Sequence, residues 1–280
     1  MQQFRDKVAV ITGAGSGIGR GIAARCAREG MKVVVADIEL AALARTEADL
    51  RREGATVLCV HTDVSKVAEV ERLAEKTLGA FGAVHLLVNN AGVGAGTTVW
   101  ESTLADWEWT LGVDLWGVIY GVKVFTPLML AQGTECHIVN VGSIAGLLAS
   151  PGLGPYKVAK HGVVSLSETL YYELAQRGAQ VGVSVLCPGF VKTGIMSSER
   201  NRPAALQNEP HAVVTTPEAE QEHAAFVAAV ASGMAVEQVA DAVFAAVAAK
   251  QLYILTHSDF NEVIRERAEN ILLQRNPAVG

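Results

Sequence analysis

The sequence lacks the features that mark several classes of protein. Its formal net charge is −6, so it has no basic excess with which to neutralise nucleic-acid phosphates. The four cysteines show no CxxC spacing and the seven histidines no HExxH pattern, so we expect neither a disulfide nor a metal site. No leader-like segment precedes the first apolar run, and the apolar stretch at residues 224–236 is too short to cross a bilayer. These absences favour a cytoplasmic protein that binds a small molecule, and neither nucleic acid nor a membrane.

Short apolar runs rich in valine and isoleucine alternate with helical patterns along the 280 residues. Continuous apolar strands of this kind are typical of a parallel sheet covered on both faces. The eight prolines are scattered and no low-complexity segment divides the chain, so no linker is indicated. We therefore predict one α/β domain over residues 1–280, a doubly wound parallel sheet with helices on both faces. The seven predicted strands are residues 7–12, 32–37, 56–61, 85–89, 137–141, 181–186 and 252–255.

A glycine-rich turn joins the first predicted strand to a helix over residues 17–30. Its sequence, Thr12-Gly-Ala-Gly-Ser-Gly-Ile-Gly19, departs from a strict GxGxxG pattern. Glycines let the backbone approach a pyrophosphate, and the N-terminus of a helix directs free N–H groups and its positive dipole at the anion. A strand before the turn and a helix after it indicate a Rossmann-type dinucleotide site.

Asp37 ends the second predicted strand, where a carboxylate accepts hydrogen bonds from the adenosine ribose and repels a 2′-phosphate. By itself Asp37 would equally be an exposed cap of the strand. Its occurrence together with the glycine-rich turn favours ribose binding. Ser16 places no cation in the turn and no arginine directly follows Asp37, so the pattern predicts NAD rather than NADP.

Tyr156 and Lys160 lie four residues apart in a helix predicted over residues 156–175, just after Pro155. They share a helix face, so the ammonium would favour the phenolate and lower the tyrosine pKa from its ordinary value near ~10. Ser143 lies thirteen residues before Tyr156. The short pattern alone also fits two surface residues. Its position at the edge of the sheet that carries the glycine-rich turn favours a proton-transfer site.

Further motifs follow the later predicted strands in a characteristic order. They are Asp63-Val64, Asn89-Asn-Ala-Gly92, Pro188-Gly189 and Val191-Lys-Thr193. Together with the glycine-rich turn and the Ser143, Tyr156 and Lys160 set, they resemble the short-chain dehydrogenase/reductase family of the classical type over residues 7–193. The resemblance implies an NAD site made by Gly13, Ser16, Gly17, Ile18, Gly19, Asp37, Asp63, Val64, Asn90, Ala91, Gly92, Tyr156, Lys160, Pro188, Gly189, Val191 and Thr193.

The resemblance also implies roles for the catalytic residues. Tyr156 would be the general acid/base, Ser143 would hold the substrate oxygen, and Lys160 would bind the nicotinamide ribose while lowering the tyrosine pKa. Asp63 would bond to the adenine amino group. Asp114 stands in the predicted long helix, residues 103–131, where the family usually has an asparagine that anchors a water of the proton relay. We expect Asp114 to act as a member of this catalytic relay, since its carboxylate keeps an acceptor oxygen.

The predicted substrate site is apolar, with Leu147, Leu148, Leu153, Ile195 and Met196 near the catalytic residues. This favours a bulky hydrophobic secondary alcohol or ketone of alicyclic, terpenoid or steroid-like type. Residues of about 194–235 are predicted to form a lid that selects substrate or only covers the cofactor, and residues of about 260–280 a C-terminal helix and tail.

Alternatives remain open at this point. One is an NADPH-dependent carbonyl or 3-oxoacyl reductase, and another is an inactive NAD-binding regulatory or scaffold protein. The four tryptophans would form an aromatic cage or, as we expect for the three in the long helix, pack in the core or between subunits. The family resemblance further implies a homotetramer or homodimer.

Overall fold

Seven parallel strands form one sheet in the computed structural model, which describes residues 1–94, 96–209 and 217–278. The strand order is β3-β2-β1-β4-β5-β6-β7, and every neighbouring pair is parallel. Each predicted strand lies within one residue of its predicted bounds. The bounds are β1 Val8–Thr12, β2 Lys32–Asp37, β3 Val57–His61, β4 Leu86–Asn89, β5 Cys136–Val141, β6 Val181–Cys187 and β7 Tyr253–Leu255.

Strands β2 and β3 lie on one side of β1, and β4 to β7 lie on the other, so the order switches sides between β1 and β4. In a doubly wound sheet this switch point leaves a crevice outside the carboxyl ends of the strands, where ligands bind. The turns after β1, β2, β4, β5 and β6 all begin at this edge. The predicted Rossmann-type, single-domain α/β fold is therefore confirmed, and it brings the predicted motifs to one side of the molecule.

Helices cover both faces of the sheet. The described helices are α1 Gly17–Arg28, α2 Leu40–Arg52, α3 Val67–Phe81, α4 Leu104–Leu111, α5 Gly117–Ala131, α6 Gly154–Gln176, α7 Pro217–Ala231, α8 Val236–Ala249 and α9 Asn261–Leu272. The long helix predicted over residues 103–131 is interrupted, because Gly112–Trp116 forms a π-helical turn between α4 and α5. Such turns insert a residue into a helix and often occur at functional sites.

The two faces of the sheet carry separate hydrophobic cores. Along β2, Val33 and Val35 pack with Ile22 and Val243 on the side of α1 and α8. Val34 points the other way, into the core beneath α3, α5 and α6. Side chains alternate between faces along a strand, so an all-apolar strand must be covered twice.

The α4–α5 segment, Leu104–Ala131, is long and apolar enough to span a membrane by length and composition, with a mean hydropathy of 1.4. In the fold it lies against the sheet. Val118, Phe125 and Met129 are at most 2% exposed. Burial of this face against β-strands is what a core helix of an α/β domain requires, and it accounts for the apolar composition.

The predicted lid and tail are partly described. Two short 3-10 helices, Ile195–Asn201 and Ala204–Leu206, and then α7 occupy the lid region. Residues 210–216 of the predicted lid and residues 279–280 of the predicted tail lie outside the described residues. Helix α9 has no buried residue.

A buried polar ladder ties the active edge to the helices behind it. Asn89 at the end of β4 donates to Asn140 Oδ1 at 2.8 Å, and Asn140 donates to Ser167 Oγ at 3.0 Å. The Oδ1 atom of Asn89 faces α5. A Cβ atom on Gly121 would lie 2.0 Å from it. Only glycine at position 121 lets α5 approach β4 this closely.

We therefore expect Gly121→Ala to lower the free energy of unfolding by about 1–3 kcal/mol, since the added methyl group must displace Asn89 or the helix. Gly79→Ala is the matched control: Gly79 also lies in a helix, with nothing within 4 Å of its would-be Cβ. That change should be neutral or stabilise the protein by up to ~1 kcal/mol. Urea unfolding of both variants tests this, and equal free energies for the two would contradict the packing described.

Candidate active site

The glycine-rich turn predicted to hold a pyrophosphate lies at the N-terminus of α1. Gly13 and Gly17 have φ values of 64° and 53°, which glycine adopts without a steric penalty. A Cβ atom on Gly13 would lie 2.7 Å from Ala91 Cα, so the turn packs on the loop after β4. Ser16 makes no side-chain capping bond, and the first turn of α1 holds no acidic residue. The N–H groups at this helix start are therefore placed to meet an anion.

Ile18 and Gly19 belong to the first turn of α1. A Cβ atom on Gly19 would lie 2.4 Å from the Gly13 carbonyl oxygen, so glycine is needed here for close packing. The Ile18 side chain packs against the core below β1. At both positions the backbone, rather than the side chain, is what a ligand would meet.

Asp37 lies beside the glycine-rich turn and helps to shape it. Its Oδ2 accepts the Gly15 N–H at 2.8 Å and its Oδ1 accepts the Glu39 N–H at 2.9 Å. Each carboxylate oxygen has a second lone pair. Asp37 therefore bonds to the glycine-rich turn rather than being an exposed cap of the strand, and it still has acceptor capacity for ribose hydroxyls.

The loop after β4 is tied to β1 through Thr12. The Thr12 hydroxyl accepts the N–H groups of Asn90 and Ala91 at 2.9 and 3.1 Å, and Asn90 Nδ2 donates to the Thr12 carbonyl at 2.8 Å. Gly92 follows, and a Cβ atom there would lie 3.5 Å from Lys160 Nζ. This loop thus connects the predicted adenosine side of the crevice with the predicted catalytic side.

Asp63 and Val64 form the turn after β3. Asp63 Oδ1 accepts the N–H and the hydroxyl of Ser65 at 3.0 and 2.6 Å. Val64 is 7% exposed, and it contacts the π-helical turn region at Gly117, where a Cβ atom would lie 2.8 Å from Val64 Cγ2. The adenine contact of Asp63 stays a prediction.

A buried ion pair lies at the catalytic side of the crevice. Lys160 Nζ lies 3.2 Å from Asp114 Oδ2 and donates to the Val141 carbonyl at 3.2 Å. Lys160 is 3% exposed and Asp114 is 0% exposed. Asp114 Oδ1 accepts the Val93 N–H at 2.8 Å. Asp114 Oδ1 is thus hydrogen-bonded, whereas Oδ2 makes no hydrogen bond and has the Lys160 ammonium as its neighbour.

Negative charges near Lys160 oppose the effect of burial on its pKa. Burial alone lowers the pKa of Lys160, but the Asp114 and Tyr156 charges outweigh it, so the lysine pKa is raised and the ammonium is retained. Burial raises the pKa of Asp114, more than the lysine charge lowers it. The π-helical turn Gly112–Trp116 carries Asp114 into this position, which the sequence pattern did not predict in detail.

Tyr156 lies on the first turn of α6, with Lys160 Nζ 5.4 Å from its ring centroid. Lys160 lowers the pKa of Tyr156 as expected, but in the protein by itself the net pKa is raised. Burial raises the pKa of Tyr156, the Lys160 charge partly offsets this, and the Asp114 charge raises it further. The Lys160 charge does lower the pKa of Tyr156, but burial outweighs it, and the Asp114 carboxylate adds to the effect of burial.

Ser143 faces the same region from the end of β5. It is 8% exposed, and its Oγ accepts the Ala145 N–H at 3.1 Å. The N–H of Ile144, the residue after Ser143, donates to the Pro188 carbonyl at 2.9 Å. This bond joins the Ser143 turn to the loop after β6, so two predicted parts of the site are held together by backbone.

The loop after β6 is held from behind by a residue that sequence reasoning missed. The Gly189 N–H donates to His257 Nδ1 at 3.1 Å, and His257 Nε2 lies 3.0 Å from the Phe190 carbonyl. Val191 pairs with Met234 in an isolated parallel bridge. Thr193 reaches the pyrophosphate turn, since a Cβ atom on Gly17 would lie 3.1 Å from Thr193 Cγ2. No local motif around His257 indicates this contact.

The loop before α6 is shaped by Lys157, the residue after the predicted acid/base Tyr156, through contacts that the sequence pattern did not predict. Lys157 Nζ donates to the carbonyls of Ser150, Pro151 and Gly152 at 2.7, 2.9 and 2.6 Å. Leu153 then adopts a left-handed conformation with φ 54°, which costs roughly 1–2 kcal/mol for a branched residue. This left-handed residue lies directly before the helix that carries Tyr156.

The tryptophans do not share one environment. Trp109 is 3% exposed and packs in the core, Trp116 is 48% exposed at the end of the π-helical turn, and Trp100 is 82% exposed on the loop before α4. Core packing of Trp109 agrees with the expectation for the long helix. Trp100 alone lies on a predicted substrate loop.

These contacts fit a dinucleotide. The glycine positions form a cradle that Cβ atoms would fill, the start of α1 is open to an anion, and a carboxylate stands at the end of β2. A buried lysine, a tyrosine and a serine lie at the opposite end of the same crevice. The fold and site together define a Rossmann-type oxidoreductase.

Comparison with known proteins identifies the family. A family model described as short chain dehydrogenase matches residues 7–204. The CLA biosynthesis dehydrogenase/reductase of Lactiplantibacillus plantarum is 36% identical, covering 100% of this chain and 98% of its own. The C alpha-dehydrogenase of a Sphingobium species is 33% identical over 97% of this chain and 87% of its own. The chain belongs to the short-chain dehydrogenase/reductase family.

A solved structure agrees over the whole chain. It is that of a short chain dehydrogenase/reductase from Burkholderia phymatum in complex with NAD, with 51% identity and a TM-score of 0.96. The alignment covers 100% of this chain and 99% of that one. The fold and the oxidoreductase family are thereby shown for this chain.

The Asp114 position gives a test in pH dependence. Asp114→Asn removes a charge that raises the pKa of Tyr156 and keeps an acceptor for the Val93 N–H. With Tyr156 as the predicted general base, we expect the variant to stay active and the rising limb of its pH profile in the oxidation direction to move to lower pH, because a base acts above its own pKa. The measurement is kcat/KM against pH.

Asp114→Leu is the comparison variant, since it removes both the charge and the acceptor and should lose activity at every pH. A rising limb that stays in place in Asp114→Asn would show that Asp114 does not act on Tyr156.

Proposed function

We propose that this protein is an NAD(H)-dependent oxidoreductase that interconverts a secondary alcohol and a ketone, with Tyr156 as general acid/base. The observation that carries the proposal is the buried Lys160 ammonium beside the Tyr156 ring, at the edge that bears the glycine-rich turn. A buried cation beside a phenol favours the phenolate over a tyrosine that lacks this neighbour.

In the oxidation direction the substrate hydroxyl gives its proton to the Tyr156 oxygen. Ser143 donates a hydrogen bond that holds the substrate oxygen, and Lys160 stabilises the negative charge on Tyr156 before the transfer. NAD, when bound, supplies the hydride acceptor. In reduction, Tyr156 returns the proton to the oxygen of the former ketone. Asp114 balances the Lys160 charge throughout.

NAD is the proposed cofactor because Asp37 ends β2. Its carboxylate is held by the Gly15 and Glu39 N–H groups, and its negative charge disfavours a 2′-phosphate nearby. The related structure from Burkholderia phymatum contains NAD. An NADPH-dependent carbonyl or 3-oxoacyl reductase is the alternative that this carboxylate disfavours.

The proposed substrate is bulky and mainly hydrophobic. Leu147, Leu148 and Leu153 lie on the two turns next to Ser143 and Tyr156, and Met196 is 36% exposed on the lid. Lys157 is held by three carbonyls of the same loop, so its charge is satisfied within the protein. These surroundings support an apolar alcohol or ketone over a small carboxylate. The homotetramer or homodimer stays a prediction.

Asp37→Ala tests the cofactor assignment. Loss of charge-assisted hydrogen bonds to the ribose should weaken NADH binding by roughly tenfold or more, and loss of the negative charge should tighten NADPH binding. Titration of NADH and NADPH fluorescence measures both. Asp37→Asn, which keeps one acceptor oxygen, should fall between the two proteins. Equal affinities of wild type and Asp37→Ala for each cofactor would refute the assignment.

Tyr156→Phe tests the acid/base role. Removal of the phenol oxygen should lower kcat by about 10²-fold or more, while NADH still binds. NADH absorbance with a panel of cyclic and steroidal alcohols is the measurement. Tyr253→Phe is the control, since it removes a hydroxyl that donates to Glu168 outside the crevice. A Tyr156→Phe enzyme with full activity would rule out the mechanism. Cofactor binding without turnover in the wild type would instead support the regulatory or scaffold alternative.

A further inference from the structure

Residues 194–208, which we call the strap, run from the loop after β6 to the start of α4. The strap consists of the 3-10 helices Ile195–Asn201 and Ala204–Leu206 with their connections. Side chains of the strap bond to two carboxylates that are far apart in the sequence and lie at different sides of the crevice. One is Glu39, just after Asp37, and the other is Asp106 in the first turn of α4.

At the Glu39 end the strap is held by two side chains that share one carboxylate oxygen. Arg200 Nη2 donates to Glu39 Oε1 at 2.6 Å and Asn201 Nδ2 donates to the same oxygen at 2.8 Å. The guanidinium is oriented by Ser197, whose carbonyl accepts Arg200 Nη1 at 2.6 Å. Glu39 in turn donates its N–H to Asp37. The strap is therefore attached to the segment that carries the proposed ribose acceptor.

At the Asp106 end the strap is held by a buried arginine. Arg202 Nη2 donates to Asp106 Oδ1 at 2.6 Å, and Arg202 Nε donates to the Leu206 carbonyl at 2.6 Å. The guanidinium carbon lies 5.0 Å from the centroid of the Trp109 ring. Asp106 also closes the capping box of α4 with Thr103. This end is therefore part of the helix start itself.

Before these two attachments, the first part of the strap contacts the loop after β4. The Gly94 N–H donates to Ser198 Oγ at 3.1 Å, and a Cβ atom on Gly94 would lie 3.5 Å from Ile195 Cγ1. Thr193, directly before the strap, lies against Gly17 of the pyrophosphate turn. The strap thus passes from the proposed nicotinamide side to the proposed adenosine side of the crevice.

The two ends differ in strength. The side chains of Arg200 and Glu39 are 39% and 28% exposed, whereas those of Arg202 and Asp106 are 3% and 9% exposed. An exposed ion pair changes an equilibrium by about two- to fivefold, whereas breaking a buried pair changes it by two to three orders of magnitude, roughly. The Glu39 attachment is therefore the weaker of the two.

We propose that Glu39 is a cofactor-retention residue, whose bonds to Arg200 and Asn201 keep the strap closed over the dinucleotide. The strap opens at Glu39, turns about Arg202, and so releases the cofactor. This inference rests on the proposed NAD site. Glu39 acts through the strap, and it is a positioning residue rather than a catalytic one.

The experiment is stopped-flow release of NADH, followed by its fluorescence. Glu39→Gln and Arg200→Gln should each raise the dissociation rate constant about two- to fivefold. The double variant should be no faster than the faster single variant, because both changes remove one interaction. The charge exchange Glu39→Arg with Arg200→Glu should return the rate toward that of the wild type.

Glu47→Gln is the matched control. Glu47 lies on the same helix, α2, and pairs with Arg51 at 2.8 Å with side-chain exposures of 31% and 56%, but it makes no contact with the strap. Its release rate should equal that of the wild type. A Glu39→Gln rate equal to that of Glu47→Gln would overturn the proposal.

A second measurement uses the protein without cofactor. Amide hydrogen exchange over Ile195–Asn201 should be faster in Glu39→Gln than in the wild type and unchanged in Glu47→Gln. Unchanged exchange in Glu39→Gln would overturn the closure of the strap. A wild type that binds no NADH would instead overturn the NAD site, and the retention role with it. NADH binding with altered release supports both.

Discussion

The buried Lys160–Asp114 pair is the interaction on which the catalytic side of the molecule depends. An ammonium with 3% exposure loses most of its hydration, and the loss is tolerable only where a counter-charge and acceptors replace the water. Asp114 and the Val141 carbonyl do this. The pair thereby joins α6, the π-helical turn before α5, β5 and, through Val93, the loop after β4. One salt bridge and two hydrogen bonds thus connect four elements.

The same pair also affects the pKa of Tyr156, the proposed proton-transfer group. A lysine alone beside Tyr156 would supply a net positive charge, whereas a lysine paired with a carboxylate supplies mainly a dipole. Burial therefore decides the balance and raises the pKa of Tyr156. An asparagine at position 114 would leave the lysine charge uncompensated. Compared with an asparagine, the Asp114 carboxylate therefore binds Lys160 more strongly and raises the pKa of Tyr156.

The sequence allowed prediction of features that depend on local patterns. Apolar runs located all seven strands within one residue, and the glycines at 13 and 17 indicated a turn in which both have positive φ. Contacts between distant segments were not predictable. Glu39 and Arg200 are 161 residues apart, and Gly189 and His257 are 68 apart. Neither pair belongs to a periodic or spaced motif, because only the folded topology brings them together. The π-helical turn was missed since its surroundings, Leu104–Ala131, have an uninterrupted helical pattern.

Some parts of the site are held rigidly and others only by exposed contacts, which is what the proposed reaction requires. Tyr156 and Lys160 lie on a helix of 23 residues that packs on the sheet, and Ser143 is bonded through its neighbour to the loop after β6. These groups need fixed distances for proton transfer, which a rigid element provides. The cofactor must enter and leave, so some part of its enclosure has to open at low cost. An exposed arginine and asparagine sharing one carboxylate oxygen meet that requirement, whereas the buried Arg202–Asp106 pair does not. The proposed opening of the strap leaves Ser143, Tyr156 and Lys160 in place, because they lie on elements outside the strap.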